Sequence, residues 1–155
     1  MSTWVRASDW TRAAANCYVS GSNPLPQFAF SHLKLHLDGA PGRNHFTGYG
    51  GGYVVVNGTR YERSLVVLPT RIVTDWPATT FDALEPRHLD ALAALGAEVV
   101  LLGTGANLRF PRPELTRALV EARVGLEIMD VQAACRTYNI LMAEERKVAA
   151  ALLLG

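Results

Sequence analysis

Glu98-Val99-Val100-Leu101-Leu102-Gly103-Thr104-Gly105 is the stretch that decides the fold. Its apolar residues run without alternation and stop at a Gly-Thr-Gly turn. That is the pattern of a short strand covered on both faces, and such a strand needs helices against it. Helix signals lie on either side. Pro86 can open a helix that carries Leu89, Leu92 and Leu95 on one face and ends at Gly96. Pro113 opens a second, holding Leu115, Leu119 and Val120 and ending near Gly125. Leu126-Glu127-Ile128-Met129 reads as the next strand, and Asp130 as the N-cap of a last helical stretch.

Upstream the period changes to that of strands. Tyr53-Val54-Val55-Val56 reads as a strand, Asn57-Gly58 as a tight hairpin turn and Thr59–Tyr61 as the return strand. Ser64–Leu68 is a further strand, stopped by Pro69, and Ile72-Val73 adds a short one. Leu33, Leu35 and Leu37 alternate with Lys34 and His36, as in a half-buried strand. Antiparallel strands followed by strand-helix alternation give an α/β class: a single domain over 31–155 with a mixed β-sheet, an N-terminal β-hairpin region and helices packed on the sheet. Residues 1–30, with Trp4, Trp10 and a linker-like Gly21–Pro26, are expected to be a poorly ordered extension. The competing reading is a docking arm anchored by exposed tryptophans.

Composition narrows the function classes. The chain has 155 residues, 49% apolar and 19% charged, with a formal net charge of +1. Its length suits one globular domain, and its charge gives no reason to expect nucleic acid or an anionic membrane surface. No apolar run is long enough for membrane insertion. Cys17 and Cys135 are expected to be free thiols, which suits a reducing compartment, and the cytoplasm is the expected location. His32, His36, His45 and His88 have no metal-ligand spacing, so neither a metal nor a cofactor is expected.

Four segments invite chemistry. Gly48-Tyr49-Gly50-Gly51-Gly52 lacks the strand-before, helix-after context of a phosphate loop, and its glycines are expected in a turn or bulge. Gly103-Thr104-Gly105 follows a buried strand, where α/β sheets gather ligands, and Thr104 offers a hydroxyl; a tight packed turn is the favoured reading, because the next helix starts several residues later. Cys135 lies in the first two turns after the Asp130 cap, where a helix N-terminus favours a thiolate, so it is a candidate reactive thiol. Against that, the helical wheel places it with Val131, Ala134, Tyr138 and Met142 on an apolar stripe. A second stripe, Arg136, Asn139, Ala143, Arg146, Lys147 and Ala150, could floor an anion-accepting groove or face solvent.

Taken together, these segments resemble the Mth-938-like domain family, a domain of unknown function. The matching stretches are Gly50–Val54 through Asn57-Gly58, Tyr61 with Ser64–Pro69, Trp76, Leu101–Gly105, Met129-Asp130 and Ala133–Leu141, then Glu144, Arg146 and Val148–Ala150. The resemblance implies a three-layer α/β fold around a mixed sheet. It also implies relatives of unknown role in bacteria and archaea, a mitochondrial relative that is an assembly factor for respiratory complex I (NADH dehydrogenase), and one linked to adipogenesis. The family has no established catalytic residues to carry over. Where Glu145 stands, relatives often have glycine, which implies a helix break in the continuous wheel past Ala143.

Two functions are therefore expected. The first is a non-enzymatic binding or assembly-type domain whose partner is another protein or a second copy. The alternative is a small-molecule or anion-binding protein, or a weak enzyme. Its site would join Gly103, Thr104 and Gly105 to Arg136, Asn139 and Arg146, with Cys135 as the candidate nucleophile.

Overall fold

The computed structural model describes residues 42–155. The expected extension over 1–30, the Leu33–Leu37 strand, His32, His36 and Cys17 lie outside the described residues. The elements are β1 (Phe46–Gly50), β2 (Tyr53–Val56), β3 (Thr59–Tyr61), β4 (Leu65–Val67), β5 (Ile72–Val73), α1 (Pro86–Ala93), β6 (Val99–Gly103), α2 (Pro113–Glu121), β7 (Gly125–Met129), α3 (Val131–Ala143) and β8 (Val148–Leu152). They form two sheets. β1-β2-β3 is an antiparallel meander, and the larger sheet has the order β5-β4-β8-β6-β7. The larger sheet is mixed: β4 pairs antiparallel with β5 and β8, while β6 pairs parallel with β7 and β8.

Side-chain alternation along the central strands divides the core in two. Leu65, Val67, Leu101, Val148, Ala150 and Leu152 pack with Tyr138 of α3 and with Phe46, Val54 and Val56 of the small sheet. Val66, Val100, Leu102, Ala149, Ala151 and Leu153 point the other way, onto Leu89 and Leu92 of α1 and Leu119 of α2. The result is three layers, with α1 and α2 on one face of the mixed sheet and α3 with the small sheet on the other. Every residue of β8 is buried, as a strand covered on both faces requires.

Local signals placed most boundaries. Asn57 (φ 51°) and Gly58 (φ 83°) both take positive φ between β2 and β3, the geometry of a type I′ hairpin. Asp130 caps α3: its carboxylate accepts from the Ala133 N–H at 2.8 Å. Pro86 and Pro113 stand at the first positions of α1 and α2.

Three expectations need correction. The C-terminal helix does not continue past Ala143: Glu145 turns left-handed (φ 60°), and Val148–Leu152 is strand β8. Arg146 therefore does not share a helix face with Arg136 and Asn139, and Lys147 and Ala150 leave that stripe with it. The reason is compositional, because an all-apolar Val-Ala-Ala-Ala-Leu run carries no period that separates a buried strand from a helix. The Gly48–Gly52 segment holds the expected turn and a bulge, but it also holds strand β1, which was not expected. Gly48 and Gly50 lie within β1, its register shifts between Phe46 and Gly48, and only Gly51-Gly52 make the turn. Finally, α2 stops at Glu121, before Gly125, because Arg123 takes the left-handed position (φ 55°) and Gly125 already starts β7.

Candidate functional site

The α3 signature lies between the two sheets. Asn139 uses its whole side-chain amide on one residue. Its Oδ1 accepts from the Phe46 N–H at 2.9 Å, and its Nδ2 donates to the Phe46 carbonyl at 2.8 Å. Phe46 stands opposite Val56 on the outer strand of the small sheet, so Asn139 closes that strand's open edge as another strand would. Three residues earlier, Arg136 Nη1 donates to the Tyr49 hydroxyl at 3.1 Å, and its guanidinium carbon stands 5.9 Å from the Tyr49 ring centre. That hydroxyl holds the Arg136 pKa above its ordinary value. Both polar residues thus tie α3 to β1. Arg146 is elsewhere, its Nε 3.6 Å from the Glu98 carboxylate.

Cys135 and Tyr138 face the core. Cys135 is 1% exposed, and burial pushes its thiol up to about 12 despite the neighbouring Arg136 charge. At neutral pH it is a protonated, packed thiol. Tyr138 meets the Phe46 ring edge-on at 5.2 Å, and burial raises its phenol pKa. Its hydroxyl has no hydrogen-bond partner among the described residues.

The Gly103-Thr104-Gly105 turn is occupied by the chain itself. A Cβ on Gly103 would lie 2.7 Å from Leu152 Cδ2 and 3.3 Å from Val131 Cα, so the glycine lets the first turn of α3 seat on β6. Gly105 takes φ +99°, open to glycine, and its carbonyl accepts from the Val131 N–H at 3.0 Å. Thr104 is 4% exposed. Its hydroxyl donates to the Asn107 carbonyl at 2.8 Å and accepts from the Arg109 N–H at 3.0 Å. The expected residues therefore fall into three separate contacts: Thr104 with its loop, Arg136 and Asn139 with β1, and Arg146 with Glu98.

Thr104 leads to a surface that sequence reasoning missed. The loop from Gly105 to Arg112 is pinned at its base by that hydroxyl. It is pinned again by Arg109, whose guanidinium grips the Asp82 carboxylate at 2.6 and 3.1 Å and lies 4.3 Å from the Phe81 ring centre. The Arg109 hydrogen bond lowers the Asp82 pKa, so the pair stays ionised. So held, the loop leaves Leu108 50% and Phe110 72% exposed. The signal was present in the sequence as two large apolar residues in a proline-bounded loop, Leu108-Arg109-Phe110-Pro111-Arg112-Pro113.

Two adjoining hollows of about 500 and 410 Å³ open around Arg60–Leu65 and Thr74–Thr79. Neither is lined by an expected site residue. Among the described residues no group of His, Cys, Asp or Glu could hold a metal ion. No helix among them is long and apolar enough to cross a membrane.

A family model described as a protein of unknown function (DUF498/DUF598) matches residues 46–153, from β1 through β8. The chain belongs to the DUF498/DUF598 family. Solved structures share its fold at appreciable identity. A crystal structure of a protein from Bordetella parapertussis is 41% identical, with a TM-score of 0.70 over 75% of this chain and 99% of that one. The solution structure of a Mth938-like domain from Bordetella pertussis is 35% identical, with a TM-score of 0.67 over 79% and 92%. Among curated relatives, the bovine NADH dehydrogenase [ubiquinone] 1 alpha subcomplex assembly factor 3 is 31% identical over 109 residues, 64% of this chain and 54% of that protein. The DUF498/DUF598 chain thus spans about half the length of that assembly factor.

Proposed function

We propose that this DUF498/DUF598 domain is a non-enzymatic binding or assembly-type module that engages a protein partner through the Gly105–Arg112 loop. One observation carries this function: a loop fixed at Thr104 and Arg109 that holds Leu108 and Phe110 in solvent. Burying a side chain of that size is worth about 1.5–3 kcal/mol, and a slack loop could fold both inward. A pinned loop instead presents preformed apolar anchors, which lowers the ordering cost of binding. The similarity to a named assembly factor supports the same role. The partner is a second protein or another copy of this chain, met in the cytoplasm. A ligand site built on Thr104, Arg136, Asn139 and Arg146 is the weaker alternative, because each of those polar groups already has a partner within the chain.

The test pairs affinity capture from the native cell with a Leu108→Ser/Phe110→Ser variant. Both residues are exposed, so the variant should keep its melting temperature. The expected result is a reproducible partner whose recovery falls at least about tenfold with the variant, the loss that about 1.4 kcal/mol of contact energy gives. Equal recovery with both proteins, or no reproducible partner, would defeat the proposal.

A further inference from the structure

A sheet edge leaves a row of backbone hydrogen-bonding groups open, and proteins ordinarily blunt it with charge, proline, a bulge or short length. Among the described residues four strands stand at an edge: β1 and β3 in the small sheet, β5 and β7 in the mixed sheet. Three of them are blunted. Asn139 closes β1 at Phe46, and the β1 ladder shifts register between Phe46 and Gly48. β3 has only three residues, and its Arg60 pairs with the following Glu62 at 2.8 Å. β5 has only two residues.

β7 is different. Its five residues pair with Val99–Gly103 in one unbroken register, and it holds no proline, lysine or arginine. The Gly125 N–H donates to the Glu98 carbonyl, and the Met129 carbonyl accepts from the Thr104 N–H, both at 2.9 Å. Successive residues of a strand turn their backbone groups to opposite edges. Gly125, Glu127 and Met129 therefore face β6, whereas the N–H and C=O of Leu126 and Ile128 point outward. Among the described residues no strand receives them. An extended chain, laid along the edge, satisfies such a row.

The β7 side chains define which extended chain fits. Leu126 and Ile128 are half-buried against the α1–α2 layer, so their neighbours on that face of an added strand are apolar. Glu127 projects to the opposite face, exposed and without an ion pair among the described residues. A second copy of this chain fits poorly. Antiparallel pairing of β7 with itself over all five residues sets two Glu127 carboxylates directly opposite each other, which is destabilising. A lysine or arginine in that place is attracted instead.

We infer that the outer edge of β7 takes up an extended segment of a partner protein, with apolar residues beside Leu126 and Ile128 and a lysine or arginine beside Glu127. The β7 edge and the Leu108–Phe110 loop have no residue in common, and either can fail without the other.

The probe is a random decapeptide library displayed on phage and selected against the intact protein. Enriched peptides should alternate apolar residues and carry a lysine or arginine between them. One such peptide, made synthetically, should shift the Leu126 to Met129 amide resonances and slow hydrogen exchange at Leu126 and Ile128, which exchange freely without it. N-methylating every second peptide amide should abolish binding in one phase of the alternation and spare it in the other. Glu127→Lys, at an exposed position, should keep the native spectrum and weaken binding at least about threefold, and a glutamate in place of the peptide's basic residue should restore it. The Leu108→Ser/Phe110→Ser variant should bind the peptide undiminished. No enriched peptide, peptides that leave the β7 amides unshifted, Leu126 and Ile128 amides already protected in the free protein, or a dimer of this chain paired through β7 overturns the inference.

Discussion

Asn139 separates a scaffold from a ligand site, because the two roles predict opposite effects of removing it. In Asn139→Ala the Phe46 N–H and carbonyl lose their partners at 2.9 and 2.8 Å. Phe46 is 5% exposed, so neither group regains a full complement of water. Two ordinary hydrogen bonds contribute about 1 kcal/mol each, and an unpartnered, desolvated group costs about 1–3 kcal/mol. The total expected loss is about 2–4 kcal/mol. With a urea m-value of about 2 kcal/mol/M, that moves the unfolding midpoint down by about 1–2 M. Asn139→Asp should be as harmful, since it keeps an acceptor for the N–H but sets a carboxylate oxygen against the Phe46 carbonyl. Native-state hydrogen exchange adds a local readout: the Phe46 amide should lose protection beyond the global change in stability. If Asn139 instead serves a ligand, its removal should leave stability unchanged or raise it, as at many binding sites. A loss below about 0.5 kcal/mol with an unchanged m-value would refute the edge-closing role.

Cys135 should resist thiol reagents at neutral pH, labelling at least about a hundredfold more slowly than in unfolded protein, and equal rates would refute its packing role. Its folded pKa of about 12 exceeds the ordinary 9.0, so the folded state holds the proton more tightly; the resulting stability is whole below pH 9 and is lost as pH rises toward 12, by up to about 1.4 kcal/mol per unit. Cys135→Ala should flatten that part of the alkaline stability curve, and an unchanged slope would count against the burial argument. Glu145→Gly should stabilise by about 0.5–1 kcal/mol, because residue 145 sits at φ 60°. Its 4.0 Å ion pair with Arg43 is exposed and contributes little. A lower melting temperature for this variant would contradict that account. Gly103→Ala should destabilise by about 1–3 kcal/mol, since its Cβ would meet the Val131 backbone at 3.3 Å as well as the movable end of Leu152; an unchanged melting curve would show that the helix is not seated so closely.

What was legible in the sequence depended on how far each signal reached along the chain. The Asn57-Gly58 turn, the Asp130 cap and the Pro86 and Pro113 helix starts are local, and each fell where the residues placed it. The Val99–Gly103 strand was legible because its neighbours supply alternating helix signals. β8 was not, because Ala149-Ala150-Ala151 has high helix propensity, and only burial on both faces makes it a strand. β1 was obscured by its glycines, which weaken a strand by propensity while allowing its tight turn. The roles of Arg136 and Asn139 were out of reach altogether, since Tyr49 and Phe46 lie 87 and 93 residues away.

That distance changes what the signature from Asp130 to Asn139 can mean. Asp130 caps its own helix, Asn139 closes the edge of β1, and Arg136 reaches the Tyr49 hydroxyl. Cys135 and Tyr138 fill the core between them. A motif whose polar groups each answer to another part of the same chain specifies how the layers join, and so identifies a family by its fold rather than by a reaction. Function then has to be sought where the fold leaves groups unanswered. Among the described residues the clearest such place is the apolar pair on the pinned Leu108–Phe110 loop. The family match, 46–153, runs through that loop; membership records how the layers join, while the exposed pair is a separate surface that a partner would read.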